Sequence, residues 1–89
     1  MRSNVTTETR DAALGLYEKL IDETVKEKGC LKYELFCQTN NPNKLALIEE
    51  WESEACLQAH TRTEHFLKIV PELAKLETEE SILIYKKLF

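Results

Sequence analysis

The chain has only two glycines, Gly15 and Gly29, so neither a glycine-rich phosphate loop nor a GxSxG nucleophile elbow can be built. Nucleotide binding and α/β-hydrolase chemistry therefore have no support. Its three cysteines, Cys30, Cys37 and Cys56, are odd in number and show no CxxC spacing. They suggest no disulfide framework, fit a reducing compartment, and read as small buried hydrophobes. No apolar run approaches the ~20 residues of a membrane-spanning helix, and residues 1–4 lack the apolar stretch of a signal peptide. The expected compartment is cytoplasmic, with no membrane partner. Twelve Lys and Arg stand against sixteen Asp and Glu, for a net charge of −4. The basic stripe that nucleic acid would need is missing.

What is present, 89 residues with 43% hydrophobic and 31% charged, is the composition of an ordinary globular domain. Its length allows one domain at most, and is short enough that a partner subunit would add noticeably to stability.

Residues 6–28 read as a long helix, because Ala13, Leu16, Tyr17, Leu20, Ile21 and Val25 recur at three- and four-residue steps. Thr6, Thr7 or Thr9 can cap its start, and Gly29 stops it. Residues 30–37 (CLKYELFC) alternate as a strand, with Leu31, Tyr33 and Leu35 on one face and Lys32, Glu34 and Phe36 on the other. Turn residues 39–43 (TNNPN) mark a hairpin whose second strand is 44–51 (KLALIEEW). Ser53 caps a short helix to about Thr61, and Thr63 caps another to about Leu76, whose inward stripe is Phe66, Ile69, Val70 and Leu73. Pro71 should bend that helix. Residues 81–89 (SILIYKKLF) read as the last strand.

This order predicts an α+β fold with an antiparallel sheet and helices on one face. One helical layer covers one sheet face. The apolar runs at 45–48 and 82–85 then need a lid on the other face, and a second copy of the sheet is the simplest one. A homodimer is the expectation.

Among residues that could carry chemistry, His60 lies three after Leu57 and four after Cys56, which turns it inward with them. An imidazole, with an unperturbed pKa of about 6.5, can act as a general base, or His60 can be a core histidine bonded to backbone. His65 begins the next helix beside Phe66, as either a functional group or a helix-start residue packed on the sheet edge. The two histidines are five apart across a break between helices, and no neighbouring Cys or carboxylate completes a metal set. Trp51 reads as a pocket wall for a planar substrate or as packing. The Tyr33 hydroxyl can meet a phenolate or ketone oxygen, or simply reach solvent. Glu34, Glu49 and Glu50 are expected to pair with Lys32 or Lys44 across the hairpin.

GCLKYELF, a turn with NPN, LALIEEWESEACLQAHTRTEHF and a VPEL, taken in that order over residues 29–76, resemble the antibiotic-biosynthesis-monooxygenase superfamily. The resemblance implies a ferredoxin-like βαββαβ fold over residues 1–89, dimerising as a dimeric α/β-barrel. Only residues 1–5 precede the helix, so the family's first strand is short or missing here, and family active sites draw on that strand. The resemblance also implies a cofactor-independent monooxygenase of a quinol or polyphenol. His60 would be the base, Tyr33 or His65 the hydrogen-bond donor, Trp51 and Phe66 the wall, and no cofactor or metal would be needed. The haem-degrading branch uses a Trp about where this chain has His60 and a His about where it has Val70, so its site is not reproduced. The alternative is a non-catalytic, small-ligand-binding or stress-associated dimer, favoured if the first strand is absent.

Overall fold

The computed structural model describes residues 1–86 and 88–89. Seven elements follow one another: β1 (Arg2–Val5), α1 (Arg10–Thr24), β2 (Cys30–Gln38), β3 (Asn41–Trp51), α2 (Glu54–His60), α3 (Glu64–Ala74) and β4 (Glu77–Ser81). The strands form one antiparallel sheet in the order β2-β3-β1-β4, the ferredoxin-like arrangement.

The first strand is therefore short, not missing. Its four residues fill the centre of the sheet, pairing with β3 on one side and β4 on the other. Ser3 and Val5 point into the core while Arg2 and Asn4 point out, the alternation that a strand imposes.

Helix α1 is shorter than the periodicity suggests. Thr6 and Thr9 exchange backbone-to-hydroxyl hydrogen bonds of 3.0 and 3.1 Å, which holds residues 6–9 as a turn and delays the helix to Arg10. At the other end Thr24 is fully buried and Val25 is 52% exposed, so the apolar stripe stops one step early. The chain then turns through Glu27 to Gly29, which has φ 82°, a left-handed conformation that glycine adopts without strain. A side chain at Gly29 would also run into Cys56 Sγ. That close approach lays the turn against α2.

The hairpin turn is tighter than its composition implies. Gln38 pairs with Asn41, leaving Thr39 and Asn40 as the loop. Pro42 falls inside β3 where the register shifts between Cys37 and Gln38, a bulge that tolerates a residue with no N–H to donate. A second shift between Cys30 and Lys32 makes Leu31 the bulged residue. It is 61% exposed and does not share the buried face of Tyr33. Cys37 is exposed as well, so it is no buried hydrophobe.

The last strand is displaced. The five polar residues of β4 pair with β1, and their ladder ends at Arg2↔Ser81. Ile82 to Lys86 follow outside the sheet, with Ile82, Leu83, Ile84 and Tyr85 between 58% and 89% exposed. Within the expected strand, Lys87 lies outside the described residues.

The core sits between the sheet and the helices: Val5, Tyr33, Leu45 and Leu47 from the strands meet Ala13, Tyr17, Leu20 and Leu73 from the helices. At roughly 25 cal/mol per Å² of apolar surface buried, each large side chain here stabilises the fold by about 1.5–3 kcal/mol. Phe66, Ile69 and Val70 line the inner side of α3 as their spacing predicts. The interior of that helix contains Pro71.

The outer sheet face is mixed. Glu80 takes a hydrogen bond from Asn4 and lies near Lys44 and Arg2, and these neighbours, Asn4 first, hold its carboxyl below the usual range. Phe36, in the same cross-strand row as Ala46 and Arg2, and Ile48, two residues further along β3 from Ala46, stand about half exposed. The expected hairpin ion pairs do not form: Lys32 lies beside Glu34 of its own strand, and Lys44 reaches across to β4.

Candidate active site

Helix α2 carries the buried His60 as its last residue. Ser53 caps it, its hydroxyl accepting from Cys56 N–H, and Thr63 caps α3 by accepting from Phe66 N–H. The Thr63 hydroxyl also donates to the His60 carbonyl at 2.8 Å. One residue thus fixes the end of α2 relative to the start of α3, and with it His60 relative to His65.

All five residues singled out in the sequence come together. His60 is 1% exposed, and its ring lies 5.3 Å from that of Tyr33, 4.8 Å from Trp51, 5.0 Å from Phe66 and 6.2 Å from His65 between centroids. Tyr33 and Trp51 meet edge to face at 6.4 Å. Tyr33, Trp51, His60 and Phe66, but not His65, border an open cleft of about 1290 Å³ between the sheet and α2 and α3, which Ile82 to Lys86 also line. The cleft is larger than the roughly 300–1,000 Å³ of a typical small-molecule pocket, and its surface is mostly apolar.

Sequence reasoning missed Glu27. Its Oε2 lies 2.7 Å from His60 Nδ1 and 2.6 Å from His65 Nε2. Nothing in the local spacing marks it, since it stands 33 residues before His60, in the turn that Gly29 closes. No carboxylate near the two histidines in sequence completes a set with them, but one does in space: Glu27, His60 and His65 place one donor atom each within 4.8 Å of one another.

A carboxylate only accepts hydrogen bonds, so His60 Nδ1 and His65 Nε2 must be the donors. In the neutral ring this leaves the lone pair of His60 on Nε2. Among the described residues the buried side-chain polar atoms without a partner are Thr24 Oγ1 and His60 Nε2. An unmet buried group costs about 1–3 kcal/mol, and such a group in a native fold calls for an explanation, catalysis being one.

Burial, and then the nearby charge of Glu49, raises the Tyr33 phenol far above its ordinary value. It therefore stays a neutral O–H, fit to donate a hydrogen bond. Glu49 accepts from Trp51 Nε1 at 3.0 Å, which fixes the indole at the cleft edge. Burial, followed by the charges of Glu27 and Glu49, also raises the Cys30 thiol, so it stays protonated and is no nucleophile.

The family model for antibiotic biosynthesis monooxygenase matches residues 1–72. The chain belongs to this family. A crystal structure of a conserved protein from Methanosarcina mazei Go1 superposes with a TM-score of 0.91 at 37% identity, covering 98% of this chain and 88% of that one. A crystal structure described as antibiotic biosynthesis monooxygenase gives 0.88 at 30%, covering 98% and 94%. In sequence, the "Probable quinol monooxygenase YgiN" of Escherichia coli (strain K12) is 34% identical over 64 residues, 63% of this chain and 62% of that protein. The chain spans a little under two thirds of the length of the curated relatives it matches. Among the described residues no helix is long and apolar enough to cross a membrane.

Proposed function

We propose that this antibiotic-biosynthesis-monooxygenase family member is a cofactor-independent monooxygenase of a quinol or polyphenolic small molecule. One observation carries the reading: His60 is held at Nδ1 by Glu27 and keeps Nε2 without a partner, beside a cleft walled by Trp51 and Phe66. A base of this kind removes a phenolic proton. The resulting phenolate is electron-rich enough to reduce oxygen itself, so one oxygen atom enters the substrate and the other leaves as water. Tyr33 is the donor to the developing oxyanion, and Trp51 and Phe66 hold the planar ring; His65, whose one N–H is given to Glu27, positions that carboxylate instead. The similarity to YgiN, whose name gives it a quinol substrate, supports the substrate class.

The non-catalytic alternative leaned on a missing first strand, and Arg2–Val5 removes that ground. The working unit of this reading is a homodimer in the cytoplasm. Phe36, Ile48 and the apolar segment from Ile82 to Tyr85 stand exposed, and a second copy would cover them. The test is oxygen uptake across a panel of quinols, with labelled oxygen followed into the product. Uptake with one labelled atom incorporated is expected; no uptake with any member would leave the ligand-binding reading in its place.

A further inference from the structure

We infer that Glu27, His60 and His65 form a site for a divalent transition-metal ion of the zinc class, and that an ion held there switches off the base on His60. The second half rests on the proposed function; the first does not.

The three donors come from three separate segments: the turn after α1, the last residue of α2 and the first turn of α3. Two imidazole nitrogens and one carboxylate oxygen are a common donor set for zinc-like ions in sites that keep a fourth position open. Calcium and magnesium, which prefer oxygen, would be poorly served. The His60, Glu27 and His65 side chains are 2%, 13% and 18% exposed. Water competes little for an ion there, yet Glu27 and His65 leave a way in.

The hydrogen-bonded geometry is what this set adopts when protons occupy the place of a metal. Each ring N–H points at the same carboxylate oxygen, at 2.7 and 2.6 Å. A tetrahedral ion with bonds of about 2.0–2.1 Å needs its donors roughly 3.3 Å apart. The carboxylate must therefore step out from between the rings while the rings close in, a shift on the order of an ångström. Glu27 sits in a turn, not in a helix or strand, and can make it.

The consequence for His60 follows from proton counting. A neutral imidazole carries one N–H. With Glu27 accepting from Nδ1, the lone pair is on Nε2; with a metal on Nδ1, the proton moves to Nε2. The base becomes a donor, and deprotonation of a phenol there stops.

The direct experiment titrates the purified, metal-stripped protein with Co²⁺, whose visible absorption reports tetrahedral nitrogen and oxygen ligation, and then with Zn²⁺ by calorimetry. One ion per chain is expected, with affinity lowered at least about 100-fold in both Glu27→Gln and His65→Gln. Circular dichroism and melting temperature confirm that these variants fold. Binding that persists in both variants, or that vanishes in Cys37→Ser instead, overturns the site. Turnover of a quinol that continues unchanged with Zn²⁺ bound overturns the switch. Stoichiometric binding by a protein that turns over no quinol sustains the site while removing the proposed activity.

Discussion

Glu27 accepts from two imidazoles on a single oxygen, and that choice sets which nitrogen of His60 is free. Glu27→Gln keeps the shape but gives the side chain an amide that can donate to Nδ1, so the ring proton shifts to Nε2. Turnover should fall on the order of 10²–10⁴-fold with KM little changed, as for other residues that fix a tautomer; measuring kcat and KM separately checks it. The sequence could mark the five aromatic and imidazole side chains because each sits on an element whose period assigns its face. Glu27 sits in a turn, where no period operates, and its partners are more than thirty residues away. Tyr17 and Tyr33 bear on stability. Burial, joined at Tyr17 by its bond to Glu77, raises both phenols above the unfolded value of about 10. Above about pH 10 the unfolded chain loses phenolic protons that the folded chain keeps. Stability is thus whole below that pH and falls as pH rises past it. Urea denaturation at about pH 9 and about pH 11 should show the loss, and Tyr33→Phe should reduce it.

At the scale of elements, the two short helices carry the site and their caps hold it. Thr63→Ala removes the cap of α3 and the bond to the His60 carbonyl together. It should cost about 1 kcal/mol, the usual worth of a cap, read as a lower urea midpoint, and should move His65 away from Glu27. These caps were legible because Ser53 and Thr63 stand just ahead of apolar-periodic runs. The last strand was not. Its ETEES sequence has no apolar alternation, and it forms a strand because β1 offers a partner, with Tyr17 donating to Glu77 at 2.6 Å to hold it under α1. The apolar run that follows looks more like a strand, yet Ile82 to Lys86 lie outside the sheet. Pairing partners, not propensity, decide such a segment.

At the scale of the whole molecule, the helices cover one face of the sheet, while the other face and the segment from Ile82 to Tyr85 expose large apolar side chains. Large exposed apolar patches are commonly places where another surface docks. Light scattering at micromolar concentration should give a mass near twice 10.4 kDa; a monomer would leave that surface unexplained. Because Ile82 to Lys86 border the cleft, covering them in a dimer would also close the site from water. The most direct measurement compares oxygen uptake by wild type and His60→Ala on a quinol that the wild type turns over. If His60 is the base, turnover falls about 10²–10⁴-fold with the assembly intact; full activity in His60→Ala would contradict that role.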